Sequence, residues 1–569
     1  MDRGAEWQQG RDGPVLEEVK FATILFADIV RSTELVAALS PDDAFQTLEP
    51  ALSVLIQAVE EVGGTVNRVT GDGVMAMFGA PRADEDHALT ACIAALTMIA
   101  RTELLARAVS LRVGVHSGEF VVHPLQVSSA RLLDAAGLAV HMAARIQQAA
   151  KPGEVWISAE TRRLCGGRVQ VDRNARVALR GIPGKLPLAR LRGVDAAAGR
   201  LDATGRRALS PFIGRRTELR QLTAAWSGAQ RGTGNAVLVT GEAGLGKSRF
   251  VAEFLRRRRG VPAATGRAIR WRREDGFHPL RGLAAQILGI APGAPVAPAL
   301  AGLPAPLRDA VGLLLGADTG PGWRGIAPSE RSRRLRDSLA GLLRWWSADG
   351  PRIAVIDDLH WADSDTLDAV AAALRELPGM PVLLLLTARH DLPLDPAMRR
   401  LPLGPLTAAE AEELSRHVRP ATGADGATAP LLARAGGNPF FIEEATASLE
   451  DLPPTLRVLI GSRIDRLPAD AKRLVELLAA LAEPVPLPLF AACAGRAPGE
   501  AELLRGLGAL DRDGLLDVSE EGGLRRVACR HALVQEVAYR GLTERRRREL
   551  HAGIAGRLEA ALGAEAPRH

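Results

Sequence analysis

The sequence predicts an α/β fold: a ferredoxin-like α/β sandwich, then a doubly wound parallel α/β domain, then a mostly helical C-terminal region. Three observations carry this expectation. Short apolar runs alternate with helical periodicity, hairpins included, over the first 190 or so residues. Farther on, apolar runs bounded by Pro and Gly are separated by helical segments, as in a buried parallel sheet. From Pro453 the helical period dominates, interrupted by one short hairpin pattern near Leu516 to Val527. The composition permits such a chain. It has 569 residues, 47% apolar and 24% charged, which at roughly 150 residues per domain is room for about four packing units.

The net charge of +6 is small for this length, so a polybasic nucleic-acid tail is not required. Lysine is scarce, confined to Lys20, Lys151, Lys185, Lys247 and Lys472, which makes each position worth inspecting. The cysteines (Cys92, Cys165, Cys493, Cys529) lie far apart in sequence without a CxxC pair, so neither a zinc knuckle nor a disulfide framework is expected, and a reducing cytoplasm fits. The polar start MDRGAEWQQGRDGP has no apolar stretch behind it. The most apolar run, Val382 to Leu386, falls far short of the ~20 residues of a spanning helix, so neither an export signal nor a membrane partner is expected.

In order, residues 1–18 read as a flexible start and 19–194 as the first domain. Within it FATILFA (Phe21 to Ala27) is a buried strand, a helical pattern runs from Ala51 to Val62, and the Gly63-Gly64 break leads to a strand. The turn Gly71-Asp72-Gly73 precedes the strand VMAMF. An alanine-rich helix (Asp84 to Ala106), the strand LRVGVHSG, a helix over Ala139 to Ala149 and the strand EVWIS follow. Residues 195–208 read as a linker. The second domain, 209–452, holds the runs NAVLVTG, PRIAVID and MPVLLLLTA, with Ala291 to Pro306 as a surface excursion. Residues 453–569 form the helical C-terminal region, and no internal repeat is found.

The strongest chemical signal is Gly241-Glu-Ala-Gly244-Leu-Gly246-Lys247-Ser248, a GxxxxGK[ST] loop between an apolar strand and a helix. Its glycines let backbone N–H groups wrap phosphate, Lys247 reaches the β- and γ-oxygens, and the Ser248 hydroxyl ligates Mg²⁺. The apolar strand Ile353 to Ile356 ends in Asp357-Asp358 about 110 residues later. Asp357 would hold magnesium through water and Asp358 would polarise an attacking water. ATP and Mg²⁺ are therefore the expected ligands.

Phe212-Ile-Gly-Arg-Arg-Thr-Glu-Leu219, Asp357-Asp-Leu-His-Trp-Ala-Asp363, Gly437-Asn-Pro-Phe-Phe-Ile-Glu443 and Arg530-His-Ala-Leu-Val-Gln-Glu-Val-Ala-Tyr539 resemble, in order, the STAND branch of AAA-type ATPases. The resemblance covers roughly residues 209 to 560. It implies Pro439 beside the adenine on a lid, Arg389 as a sensor of the γ-phosphate, and a winged-helix-like module from Pro453 to about Arg526. Family members usually continue into a tetratricopeptide array.

In the first domain, Asp28 of FADIVRST and Asp72 of Gly71-Asp-Gly73 stand at strand ends 44 residues apart. Two such carboxylates can bridge a pair of Mg²⁺ or Mn²⁺ ions; an aspartate at a turn or helix cap is the plainer explanation. The segments FADIVRST, GGTVNRVTGDGVMAMFG, DEDHALTA, LRVGVHSGE and HMAARIQQAAKPGEVWIS resemble class III adenylate/guanylate cyclase domains from about Val19 to Leu164. That resemblance implies metal binding by Asp28 and Asp72, charge stabilisation by Arg145, and a site shared between two domains, hence a homodimer. It places Arg68 where a lysine usually reads the purine, Asp134 where an acid accepts from the adenine amino group, and His141 where an asparagine orients the ribose.

Other features have plainer readings. The remaining histidines show no HxxxH or HExxH spacing, the arginine runs 256–259 and 545–548 read as solvated helix ends, and Trp345, Trp346 and Trp361 read as packing anchors. With 4% aromatics there is no stacking platform, and nucleic acid is not an expected partner. The whole reads as a cytoplasmic signalling enzyme, a cyclase that makes cyclic AMP under an ATP-binding switch. The competing reading is a switch whose cyclase-like domain only dimerises; a DNA-binding regulator ranks last. The input signal is not legible.

Overall fold

The computed structural model describes residues 17–562 except 33, 35, 36, 38, 108, 128, 129, 183, 196–209, 274, 292, 318–325, 419–434, 448–451, 498 and 522. Residues 1–16 of the expected flexible start and 196–208 of the expected linker lie outside the described residues. The chain divides into two compact units that do not follow chain order. One comprises Met1–Leu209, Thr422–Gly436 and Glu444–His569, the other Ser210–Ala421 and Gly437–Glu443. The C-terminal region thus belongs with the first domain.

The first unit is built on β1 (Glu18–Ile29), β2 (Thr65–Thr70), β3 (Gly73–Phe78), β4 (Leu111–Val127), β5 (Ala130–Ala136), β6 (Glu154–Ser158), β7 (Val169–Ala178) and β8 (Lys185–Val194). The order is β2-β3-β1-β4-β6-β8-β7, with β5 pairing β4. β1 is antiparallel to both β3 and β4, and β4 is parallel to β6. Ala22, Ile24, Met75, Met77, Phe120 and Val122 pack with Ala139 and Ala143 of the Leu138–Ala149 helix to form one core. The first helix begins at Pro41, earlier than the expected Ala51, and contains Pro50. Proline normally ends a helix pattern. Here the Ser40 side chain accepts from the Asp43 N–H at 3.1 Å and caps the helix ahead of it.

Cys92 and Cys165, distant in sequence, bring their buried sulfurs to 3.9 Å as free thiols. The Cys165 contact and then burial hold the Cys92 thiol well above its ordinary range, so it stays protonated. His87, buried, bonds Thr23 Oγ1 through Nδ1 at 2.6 Å, consistent with a core role.

The second unit carries β9 (Asn235–Thr240), β10 (Ala263–Arg267), β11 (Arg352–Asp357), β12 (Val382–Ala388) and β13 (Arg399–Pro402), all parallel, in the order β10-β11-β12-β9-β13. Leu384, Leu386, Ala354 and Ile356 face one apolar layer, while Leu383, Leu385, Ile353 and Val355 face another, which is why these strands read as unbroken apolar runs. The expected surface excursion at Ala291–Pro306 is corrected. It contains the Ala297–Leu300 helix and buries Leu300 and Leu303 in the first layer, because alternating Ala and Pro hid two well-spaced leucines. Trp345, Trp346 and Trp361 pack against the same layer.

The C-terminal region is helical over Pro454–Ile464, Ala469–Leu481, Leu487–Ala494, Ala501–Arg512, Ala532–Arg540 and Glu544–Leu562. Its small sheet comprises β14 (Val485–Pro486), β15 (Leu516–Glu521) and β16 (Leu524–Cys529), ordered β14-β16-β15. The hairpin falls where expected. Within the first unit this region grips the start of β1. β3 pairs β1 only from Thr23 onward, and beyond it Val19 N–H donates to Gly541 O at 2.9 Å. Lys20 Nζ reaches Asp465 at 2.7 Å, and Lys472 Nζ reaches Glu18 and Asp465, each at 2.8 Å. Burial raises the Asp465 carboxyl, but the Lys20 and Lys472 charges outweigh it and hold the group below its ordinary value.

Candidate active sites

The first site lies where β1 ends beside the β2–β3 turn. Asp28 faces Gly73 across the strands, and Ile29 N–H donates to Asp72 O at 2.9 Å, which sets the two acidic residues side by side. Gly73 permits this approach, since a Cβ there would sit 2.5 Å from Ala27 O. The Asp72 carboxylate accepts from Ser32 Oγ. Asp28 Oδ2 accepts from Arg112 at 2.7 and 3.1 Å and from Gln147 Nε2 at 3.1 Å. Among the described residues no three acidic, His or Cys side chains converge as a metal cage. Two adjacent, partly open carboxylates nonetheless suit Mg²⁺ or Mn²⁺, ions that take one or two carboxylates and complete their shell with substrate phosphates.

Arg68 on β2 donates to both oxygens of Asp134 on β5 at 2.6 Å, so the two expected purine readers meet. Burial raises the Asp134 carboxyl, but Arg68 and the Ala135 N–H prevail and keep it below its ordinary value. His141 and Arg145 lie one turn apart on the Leu138–Ala149 helix. Arg145 bonds Gln148 at 2.7 Å and His141 is exposed; the side chain of this helix that reaches Asp28 is Gln147. One chain therefore brings Asp28 and Asp72 together but leaves Arg145 off that cluster. Arg112 and Gln147 escaped the sequence reading. Arg112 is opposite Asp28 in the β1–β4 register, a signal available only once that register is known.

The second site lies at the carboxyl ends of the parallel strands, where such sheets bind ligands. The loop Gly241–Gly246 joins β9 to the helix Lys247–Arg256. Gly241, Gly244 and Gly246 all adopt positive φ. At Gly244 a Cβ would meet Asn438 Oδ1 at 2.6 Å, so a side chain there would displace Asn438 and strain a backbone at φ +87°. Asn438 Nδ2 in turn donates to Ala243 O at 3.0 Å, seating the segment that begins the Pro439–Ala447 helix on the loop. Lys247 Nζ donates to Gly241 O at 2.7 Å and Glu242 O at 3.0 Å, an ammonium parked on the loop's own carbonyls.

Ser248 Oγ donates to Asp357 Oδ1 at 3.1 Å, the juxtaposition a shared Mg²⁺ requires, so these residues fit the ion. Thr387 donates to the same oxygen at 2.5 Å, and Arg267 holds Oδ2 at 2.5 and 3.2 Å. Burial opposes ionisation of Asp357, but Arg267 and these hydroxyls keep its carboxyl below the ordinary value. Asp358 has a left-handed backbone (φ +57°), and its N–H donates to Thr387 Oγ1 at 2.8 Å. Burial and the neighbouring Asp357 charge push its carboxyl up to about 7. Arg389 lies with its guanidinium 5.4 Å from the Trp361 ring centre. Arg267 and Thr387 were not singled out from sequence.

Residues 15–190 match the adenylate and guanylate cyclase catalytic domain family, and residues 211–385 match the AAA ATPase domain family. An uncharacterised protein of Rhizobium meliloti is 28% identical over 580 residues, covering 94% of this chain and 55% of its own length. The chain thus spans about half of that relative. Adenylate cyclase 1 of the same organism is 32% identical over 133 residues, 22% of this chain and 20% of that protein. The solved adenylyl cyclase CyaB from P. aeruginosa is 22% identical, with TM-score 0.30, covering 32% of this chain and 98% of that one. The protein joins a class III adenylate/guanylate cyclase domain to an AAA-family ATPase domain in one chain. No helix among the described residues is long and apolar enough to cross a membrane.

Proposed function

We propose that the protein converts ATP to cyclic AMP in a site shared by two copies of the chain, under control of a STAND-type ATP switch. The observation that carries the shared site is the division within one chain: Asp28 and Asp72 adjoin, while Arg145 bonds Gln148. A second chain is needed to bring an Arg145 to the phosphates. In the reaction O3′ bonds to the α-phosphorus, the bond to the β-phosphate oxygen breaks, pyrophosphate leaves and the hydroxyl proton passes to water. Divalent ions on Asp28 and Asp72 would lower the hydroxyl pKa and neutralise phosphate charge. Arg145 would stabilise the charge on the transferring phosphate.

The pairing of Arg68 with Asp134 supports adenine as the base. A carboxylate accepts from the adenine amino group and repels guanine O6, while a guanidinium donates to adenine N1 and clashes with the N1–H of guanine. In the second unit Lys247 and Ser248 would bind the triphosphate and magnesium, Pro439 would flank the adenine, and Arg389 would sense the γ-phosphate. A cytoplasmic setting suits four free thiols. Incubating the full chain with Mn²⁺ and either ATP or GTP, and measuring cyclic AMP, cyclic GMP and ADP separately, tests the assignment. Cyclic AMP from ATP supports it, and cyclic GMP alone reverses the base. The exposed His141 in place of asparagine favours a second reading, a cyclase fold that dimerises without turnover; ADP without any cyclic nucleotide would select it.

A further inference from the structure

Consecutive strand ends of the second unit each deliver a polar group to one corner. β9 ends in the phosphate loop, β12 in Thr387 and Arg389, β11 in Asp357 and Asp358, and β10 in Arg267. The parallel register sets Arg267 directly beside Asp357, and Ala268 N–H fixes the junction by donating to Asp357 O at 2.9 Å. Its guanidinium therefore sits on the same carboxylate whose other oxygen faces Ser248. A metal-directed aspartate needs one oxygen for that duty, so a cation bound to the other is within reach of whatever the metal holds.

The cations gathered there say what that is. Lys247, Arg267 and Arg389 stand at one corner, with Ser248 and Asp357 placed for a divalent ion. An ion held there on a nucleoside triphosphate bridges its β- and γ-oxygens, so a guanidinium on the other oxygen of Asp357 is placed for the terminal phosphate, the group that ADP lacks. Arg267 has the planar fork suited to phosphate.

We propose that Arg267 is a γ-phosphate ligand of the P-loop site, shared between Asp357 and the terminal phosphate, and that it gives the site its preference for ATP over ADP. This rests on reading that site as an ATP site. Arg389, held near Trp361, reaches the same phosphate from a different strand, so the two arginines would grip it from β10 and β12.

The test uses the full chain carrying Asp72→Ala, which silences the first site, and measures by calorimetry the Mg²⁺-dependent binding that Lys247→Ala removes. The parent should bind AMP-PNP at least ~10-fold more tightly than ADP, the scale of one charge-assisted phosphate contact. Arg267→Ala should bring that ratio to within about threefold while ADP affinity changes little. A ligand of Asp357 alone would instead lower both affinities together and keep the ratio, and that result overturns the proposal, as does no change in either. If Arg267→Ala folds poorly, Arg267→Lys decides. It still neutralises Asp357 but has lost the fork, so the ratio should fall at least ~3-fold, and an unchanged ratio overturns the proposal. Absence of any Lys247-dependent nucleotide binding by the parent would overturn the ATP-site reading itself.

Discussion

Each nucleotide-directed corner of the molecule is built around two aspartates, and the two pairs are made in opposite ways. Asp28 and Asp72 come from different strand ends joined antiparallel, with the Asp28 side chain a quarter exposed against Arg112. Asp357 and Asp358 are consecutive and buried, at the end of a parallel strand, with the Asp357 side chain only 6% exposed. The first pair stays within reach of solvent, with Asp28 held by Arg112 and Gln147 and Asp72 by Ser32. The second pair is buried, so arginine, serine and threonine already satisfy Asp357, while burial and the Asp357 charge push the Asp358 carboxyl up to about 7. The first corner is partly open, with Arg112 on Asp28 and Arg145 of the same chain turned to Gln148. The second is closed, with Arg267 on Asp357.

If that contrast is right, the largest effect belongs to the open corner. Asp28→Ala and Arg145→Ala should each lower cyclic nucleotide formation by ~10³-fold or more, since metal and phosphate-charge stabilisation are both lost terms of several kcal/mol. Mixed together, the two variants should regain part of the activity, because a mixed dimer holds one intact site of two. No recovery in dimers confirmed by light scattering would end the shared-site account. At the closed corner no mixing should help. Lys247→Ala should weaken ATP binding by ~10²-fold or more, measured by calorimetry on the full chain with Asp72→Ala, as no other lysine stands in the loop.

Asp358→Asn should leave that affinity within about threefold and slow ADP release from ATP by ~10²-fold, because an amide keeps the shape but accepts no proton. Equal loss of binding and turnover would exchange the roles of Asp357 and Asp358. In the open corner, His141→Ala should cost up to ~10²-fold in turnover if the imidazole donates to the ribose, while His141→Asn should retain or raise activity. An inactive parent that gains activity as His141→Asn would identify this one side chain as the block.

Much of the closed corner was legible because a phosphate loop is local. Glycines, Lys247 and Ser248 must follow one another to make it, and the four residues before Asp357, Ile353 to Ile356, are all apolar. What escaped was non-local. Arg112 reaches Asp28 across 84 residues, Gln147 across 119, and Arg267 reaches Asp357 across 90. Each is fixed by strand register or helix packing, which periodicity does not encode. The strands β7 and β8 were missed as separate elements for a related reason, since β7 alternates half-buried and exposed positions, arginines among them. The first helix began ten residues early because a serine cap outweighed an internal proline.

The smallest predicted effect on chemistry is also the one most visible in stability. Asp465→Asn strips Lys20 and Lys472 of their shared buried carboxylate and should destabilise the first unit by about 3 kcal/mol in chemical denaturation, with ATP binding at the P-loop unchanged. Because the Asp465 carboxyl is held below its ordinary 3.8, its contribution is present above that pH and is lost as pH falls through the lower folded value. The parent should therefore lose stability on acidification below about pH 4 more steeply than the variant does.

That same cluster sets a timetable for synthesis. Lys20 leaves the ribosome 445 residues before Asp465, which at ~5–20 residues per second is an interval of about 20 to 90 s. Throughout it the stretch of β1 ahead of Thr23 has no strand beside it on the β3 side, the place Gly541 and Leu542 later fill. An unfilled strand edge invites pairing with another nascent chain, and charged side chains are the usual deterrent. Glu17, Glu18 and Lys20 supply those charges while the chain is being made. When the last helices arrive, Glu18 and Lys20 close with Asp465 and Lys472, and Glu17 takes Arg545 at 2.9 Å. The residues that keep the first strand to itself are the ones that fasten the late helices to it.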